Sequence, residues 1–398
     1  MALTAPAGAA ERSGVVSGAE REGLAAAIVR DFGVSERQAL ANVDVQARAG
    51  NVVEALQKAL GDGYAGVWFD NDGGEFVVNA AAATDRDAVK ATLARLGVAT
   101  DARIATMDAT WKELQQQAAR WTERASDALP ADQLMVGINA VTGTVNVTAS
   151  ERVGEAAVAG LREQARAVAP AVRVSTAPAR VFEQRELTAC SHPYCDAPLG
   201  GGVQINGSGG CTAGFLAFSN SDLAPYILTA GHCITAPANW WTYYANQVGW
   251  AYIGPNWNNA YDGRGDTGIV RITNAPWVSG GGMSAKLAAW TTGNGNYLIY
   301  GAGWSYFGQS LCHYGATNPR VCGTNDTAGW VNITAFGLGA QTYNSACSSH
   351  GDSGGPWAAA NVGYGVQSSA YLCPSAGSWF TEAVAAAANM GVHVASAG

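Results

Sequence analysis

Apolar and polar positions change period along this chain of 398 residues. Residues 20–59 carry apolar side chains at helical spacing. Leu24, Ile28 and Val29 form one stripe, and ALANVDVQARAGNVVEALQKAL continues the register up to Gly61. The period then shortens. YAGVWFDNDGGEFVVNA (64–80) reads as a strand, an Asp/Asn/Gly turn and a second strand. A helix over 85–96 and a strand near 102–106 follow. The same order returns at LMVGINAVTGTVNVTA (134–149), with Thr142-Gly143 at the turn, then a helix over 153–168 and a strand over 172–175. A charged helix over 109–129 joins the copies. Two ββαβ units with connecting helices predict an α+β region.

A polar, proline-containing stretch, TAPARVFEQRELT (176–188), ends this region. Beyond it short apolar runs alternate with Gly, Asn and Ser clusters: GFLAFSN, PYILTAGHC, GIVRITN, YLIYGAG, GWVNITAFG and VGYGVQSS. Many short strands with such turns predict an all-β barrel or sandwich, closed by a helix over 382–390. The divisions expected are 1–60 helical, 61–180 α+β and 181–398 β-rich.

Charge and cysteine follow the same division. Residues 1–189 hold 19 of the 23 Lys and Arg and 24 of the 31 Asp and Glu, but none of the eight cysteines. An even cysteine count in a Gly-, Asn- and Trp-rich half reads as a disulfide-bearing extracellular domain. The rival is an intracellular chain with reduced or metal-bound cysteines, but no CxxC pair is present and no metal or cofactor motif is evident. A net charge of −8 without a basic run excludes a nucleic-acid or anionic-membrane partner. No run approaches the roughly 18 apolar residues of a membrane span. The first residues, MALTAPAGAAERSG, lack the pattern of a signal peptide, so a secreted protein would need one supplied outside this sequence.

Three segments carry chemistry. TAGHC places His232 after an apolar strand, GDTGIV places Asp266 at the start of another, and GDSGGP places Ser353 in a Gly-rich turn. A serine hydroxyl needs a base to take its proton, and that base needs a third group to fix its tautomer. Glycines leave backbone N–H groups free to converge on an oxyanion. Asp262 competes with Asp266, but only Asp266 opens a GIVR segment.

On these motifs, in the order His, Asp, Ser, residues 200–398 resemble the chymotrypsin-fold serine peptidases, specifically the streptogrisin and α-lytic protease branch. The resemblance implies two six-stranded barrels, a catalytic triad of His232, Asp266 and Ser353, and an oxyanion hole made by the N–H groups of Gly351 and Ser353. It implies disulfides Cys211–Cys233, Cys312–Cys322 and Cys347–Cys373, and leaves Cys190–Cys195 as a small N-terminal loop that departs from the usual pattern. It places Ser348, Ser349 and His350 on one wall of the specificity pocket and Ser368, Ser369 and Ala370 on the other. Ser368 would also bond the triad aspartate. Where the branch pairs its buried aspartate, here Asp352, with an arginine, this chain has His313; that histidine or a backbone donor would replace the cation.

The ββαβ units similarly resemble the pro-region of α-lytic-type peptidases. That implies a zymogen whose pro-region assists folding and blocks the cleft until it is removed, with processing within 176–188, best at 187–189, and a mature start near 188–190. The expected product is a secreted, monomeric serine endopeptidase acting on polypeptides without a cofactor, its partners being those substrates and its own pro-region. No acid lines the pocket segments, so a neutral P1 side chain is expected; an acidic one requires His350 to point inward. The rivals are a silent binding relative, an esterase, or a permanently attached module in residues 1–180. Trp240-Trp241-Thr242-Tyr243-Tyr244 is either a substrate rim or barrel packing.

Overall fold

The computed structural model describes residues 16, 18–82, 84, 86–130, 133–168, 172–177, 199–207, 209–236, 238–243, 250–273, 286–287, 297–325, 331–370, 373 and 377–396. Cys190, Cys195, the preferred processing point at 187–189 and the rest of the 176–188 window beyond residue 177 lie outside these residues.

The N-terminal helical run is broken into three: α1 (Gly18–Phe32), α2 (Glu36–Ala49) and α3 (Val52–Leu60). The periodicity gave no sign of the breaks because they are local. Gly33 at φ 70° and Gly50 at φ 50° take conformations that other residues reach only with strain. Ser35 then caps α2, its side chain accepting from the Gln38 N–H at 3.2 Å.

Both ββαβ units form as the pattern predicts. β1 (Tyr64–Asp70), β2 (Glu75–Ala81), α4 (Arg86–Arg95) and β3 (Ala102–Met107) make a three-stranded sheet, with β2 antiparallel to β1 and parallel to β3. After α5 (Trp111–Ser126), begun by a Thr110–Glu113 capping box, the order repeats. β4 (Leu134–Asn139), β5 (Thr144–Ser150), α6 (Glu155–Val168) and β6 (Val172–Ala177) pair in the same sense. Each hairpin turn is built by a side chain: Asp70 Oδ1 accepts from the N–H groups of Asp72 and Gly73, and Asn139 Oδ1 from those of Val141 and Thr142.

The second half is all-β with one helix. β7 (Gln204–Asn206), β8 (Gly210–Thr212), β9 (Leu216–Ser219), β10 (Pro225–Thr229), β11 (Asn239–Tyr243), β12 (Trp250–Asp262) and β13 (Gly265–Arg271) build the first barrel. β14 (Lys286–Leu287) and β15 (Tyr297–Leu298) form a separate ribbon. β16 (Ser310–His313) and β17 (Val321–Thr324) open the second barrel. A hairpin of β18 (Val331–Ala335) and β19 (Leu338–Gly339) leaves it. β20 (Gln341–Asn344), β21 (Pro356–Ala359), β22 (Val362–Ala370) and β23 (Ser378–Glu382) complete it. α7 (Ala383–Met390) and β24 (Val392–Val394) follow.

The second barrel has the expected six strands, ordered β17-β16-β21-β22-β23-β20, and a bridge between Asn325 and Asn344 joins its ends. The first differs from expectation. Its sheet has eight strands, β24-β9-β10-β13-β12-β11-β7-β8: residues 204–271 supply seven, and the C-terminal β24 adds the eighth by turning back onto β9 through Val392↔Ser219. Trp240 is fully buried in this barrel, so it packs rather than forming a rim, while Trp241 is 39% exposed.

The two halves meet along several surfaces, two of which are a shared sheet and a helix laid on the barrel. β18 pairs with β4, so the hairpin of the second half extends the second ββαβ sheet to five strands, β19-β18-β4-β5-β6. α1 lies on β16 and β17, with Gly23 against Cys322: a Cβ there would stand 3.1 Å from the sulfur, so glycine permits the close approach. Leu24, Ile28 and Val43 of α1 and α2 belong to the same apolar cluster as Leu311, Tyr364 and Phe380 of the second barrel. Each fully buried aliphatic side chain of this kind contributes about 1.5–3 kcal/mol.

Candidate active site

His232 sits in a short 3-10 turn, Gly231–Ile234, after β10, and Asp266 is the second residue of β13. His232 Nδ1 lies 2.7 Å from Asp266 Oδ2, and the His232 backbone N–H donates to Oδ1 at 2.9 Å. Ser368 Oγ donates to Oδ2 at 2.6 Å. Asp266 is fully buried. Burial alone would raise its carboxyl, but the His232 ring and the donors from His232 and Ser368 outweigh it and hold the group below its usual value. Asp262 is exposed and paired with Arg264 at 2.8 Å, so the competing aspartate is not the histidine's partner.

Ser353 lies in the turn before β21, 1% exposed, its Oγ without a hydrogen-bond partner among the described residues. The first barrel holds this turn. Thr212 N–H donates to Ser353 O at 2.7 Å and Thr212 Oγ1 to Gly351 O at 2.6 Å. Gly354, at φ 85°, is required where it stands, since a Cβ would collide with Thr229 Oγ1 and Thr212 O. The Cys211–Cys233 disulfide flanks the histidine, and Cys233 Sγ is 4.0 Å from Ser353 O. Cys211, His232 and Cys233 come within metal-binding distance, but the two sulfurs are bonded to each other and offer no thiolate.

Gly351, at φ 94°, precedes Asp352, which is buried and held by donors alone. The N–H groups of Thr317 and Asn318 reach Oδ1 at 2.9 Å each, and Ser349 N–H (2.8 Å), Asn318 Nδ2 (2.6 Å) and Ser348 Oγ (3.3 Å) reach Oδ2. Of the two replacements expected for the missing arginine, backbone and amide donors fill the role. His313 is buried against Trp357 with neither ring nitrogen hydrogen-bonded, and burial holds its pKa down against the pull of Asp352. The carboxylate oxygens of Asp352 are thus met by backbone, amide and hydroxyl donors.

The segments expected to wall the specificity pocket make the following contacts. Ser348 and Ser349 bind Asp352, and His350 offers its carbonyl to Thr317 Oγ1 at 2.5 Å. Ser369 and Ala370 end β22, paired with Trp379 and Ser378 of β23. β21 stops pairing at Pro356↔Val366, so among the described residues Ser368–Ala370 have a strand on one side only. Cys347–Cys373 ties the two walls, and Cys312–Cys322 closes the β16–β17 hairpin.

Two positioning groups escaped the sequence reading. Thr381 of β23 accepts from the Asp266 N–H at 3.1 Å and donates to the Asp266 carbonyl at 3.3 Å, binding the aspartate's backbone from the other barrel. Thr212 does the same for the serine turn. Neither lies in a motif, and each contact spans more than one hundred residues, so no local signal marked them.

Residues 37–95 match the alpha-lytic protease pro N-terminal family. Serine protease 1 of Streptomyces fradiae is 30% identical over 328 residues, covering 80% of this chain and 79% of its own length. The chain belongs to the serine proteases of the streptogrisin and α-lytic branch. It is a serine endopeptidase of that branch carrying its pro-region, and polypeptides are its substrates. Streptogrisin-C of Streptomyces griseus is 26% identical over 361 residues, 87% of this chain and 68% of the relative. Glutamyl endopeptidase 2 of the same organism is 30% identical over 179 residues, covering 44% of this chain and 86% of the relative. A solved glutamic acid-specific serine protease, described as using a novel histidine triad in substrate binding, is 27% identical with a TM-score of 0.42. It is matched over 50% of this chain and 100% of its own. Among the described residues no helix is long and apolar enough to cross a membrane.

Proposed function

We propose that peptide hydrolysis runs through Ser353, His232 and Asp266. The observation that carries this is the hydrogen-bonded chain Ser368–Asp266–His232, with the Ser353 turn held against the residue that follows the histidine, Cys233 Sγ lying 4.0 Å from Ser353 O. Ser353 Oγ attacks the scissile carbonyl carbon while His232 Nε2 takes its proton. Asp266, ionised and fixed on both oxygens, holds the imidazole tautomer and stabilises the cation. Charge on the carbonyl oxygen is met by the N–H groups of Gly351 and Ser353. Collapse breaks the C–N bond, the amine leaves with the proton from His232, and water releases the acyl group by the same steps in reverse order. The unpaired edge at Ser368–Ala370 receives the substrate as an added antiparallel strand, which favours peptides over simple esters.

Residues 1–180 act as a folding assistant and inhibitor, processing falls near 187–189, and the chain is secreted and works as a monomer. Disulfides confined to the protease half support the oxidising compartment. The pro-region comes in cis, so no second copy is needed to complete the fold. The expected P1 residue is neutral, because the pocket segments 348–350 and 368–370 hold no charged side chain except His350. One observation favours an acidic P1 instead: His350 Nδ1 is buried without a partner beside Gly351, and glutamyl-specific relatives exist.

Labelling by an active-site phosphonate decides the mechanism. It is expected in the processed enzyme and absent in Ser353→Ala; labelling that survives the substitution overturns the assignment. A chromogenic panel with Ala, Leu, Phe, Glu and Arg at P1 separates the specificities, and fastest cleavage after Arg would overturn both.

A further inference from the structure

The first ββαβ subdomain is not completed by its own residues. Its apolar cluster runs from Val45 to Val98, and one fully integrated member comes from the protease half: Tyr306, 2% exposed. The Tyr306 ring stands 5.4 Å from that of Phe76, edge to face, and Trp304 packs beside it. The Tyr306 hydroxyl is buried with no hydrogen-bond partner, so the side chain serves here as a hydrophobe. Around it the two halves exchange polar contacts. Phe69 N–H donates to Phe307 O and Asn71 Nδ2 to Gly308 O, both at 2.9 Å, and Ser310 N–H donates to Gln46 Oε1 at 2.9 Å. The segment bearing Tyr306 is bolted to the second barrel: Ser305 donates twice to Glu382, and Asn325 Nδ2 donates to Tyr306 O at 3.1 Å.

We propose that Tyr306 is the plug by which the protease half completes the core of the first pro-region subdomain, so that this subdomain reaches its native packing only on a protease presenting an aromatic side chain there. Recognition between the two is therefore settled at a surface away from the cleft. The partner this surface fits is defined chemically: an incomplete apolar core walled by Phe69, Phe76 and Tyr64, with a strand end that accepts pairing at Phe307. The inference rests on the reading of residues 1–180 as a pro-region, but its test needs no processing.

Hydrogen exchange is followed in the full chain carrying Ser353→Ala, with Tyr306→Ala and Tyr306→Phe added separately. Tyr306→Ala is expected to speed exchange in Tyr64–Asp70 and Glu75–Ala81 by about ten-fold or more, leaving Leu134–Asn139 and the strands of the second barrel unchanged. Tyr306→Phe, which keeps the ring and removes only the unpartnered hydroxyl, is expected to leave exchange everywhere as it was. Unchanged exchange in β1 and β2 with Tyr306→Ala overturns the proposal. So does a uniform loss across all regions, which would make Tyr306 a support of the barrel, and so does an equal loss with Tyr306→Phe. Failure of the pro-region reading looks different: the chain with Ser353 intact would stay uncut while the exchange pattern held.

Discussion

The two ββαβ subdomains share an order of elements but are completed differently. The first trades side chains with the protease half: Tyr306 enters its core, while α1 and α2, packed beside it, give Leu24, Ile28 and Val43 to the core of the barrels. Among the described side chains, the core of the second, with Leu114, Trp121, Leu161 and Val172, is drawn from its own residues, and it meets the protease through the β4–β18 strand pairing. Side-chain exchange makes two bodies fold as one, because neither core is full without the other. Strand pairing adds backbone hydrogen bonds between surfaces that are already formed. The first subdomain thus shares a core with the barrels, and the second shares a sheet with the hairpin.

The largest expected effects come from cutting equal pieces out of the two kinds of core. Ile28→Ala and Leu161→Ala each remove a buried aliphatic side chain and should each cost about 2–5 kcal/mol locally. Ile28→Ala is expected to destabilise the barrels, and Leu161→Ala only the second subdomain. Denaturant unfolding of the Ser353→Ala chain, resolved by hydrogen exchange, checks this; equal damage to the barrels would erase the distinction.

A pH effect comes next. Glu382 anchors the segment that carries Tyr306. Burial pushes its carboxyl up to about 7, against the hydrogen bonds from Ser305 and Thr342, which pull it down. The folded chain keeps this proton to about pH 7, whereas an unfolded glutamate releases it near 4.5. Its contribution is therefore complete below pH 4.5 and is lost as pH rises through 7, at no more than about 1.4 kcal/mol per pH unit. Measured against Glu382→Gln, the native chain should lose relative stability across that window, with faster exchange in β1–β2 and none of the change in β4–β5. A difference that stays flat with pH would show that the carboxyl is not raised.

The smallest effect belongs to the paired strands. Thr334→Pro removes an N–H from β18 opposite Val136 and should cost about 0.5–1.5 kcal/mol. The core of the second subdomain should stay protected while β4 loses protection along its outer edge. Collapse of that core would mean it depends on the hairpin after all.

Much of the site was legible because its chemistry is local. TAGHC, GDTGIV and GDSGGP each fix a side chain by a strand end or a Gly-rich turn, and the structure brings His232, Asp266 and Ser368 into one hydrogen-bonded chain. The repeat was legible for the same reason, since Asp70 and Asn139 build the hairpin turns from within. The breaks at Gly33 and Gly50 were missed because a single residue in a left-handed conformation hardly disturbs a period of 3.6. β24 was missed because three residues carry no period, and their pairing with β9 is made across the whole barrel half.

By itself the sequence determined the two-part chain, the repeat and the order of the His, Asp and Ser motifs, while the pairings Cys211–Cys233, Cys312–Cys322 and Cys347–Cys373 came only with the family resemblance. Only the tertiary structure decided what holds them: Thr381 and Thr212 reaching across the barrels, donors rather than His313 around Asp352, and Tyr306 inside a core that the sequence assigns to another region. Periodicity and motif spacing record which face of an element is buried. They do not record which distant surface buries it, since any apolar partner of the right shape satisfies the same pattern.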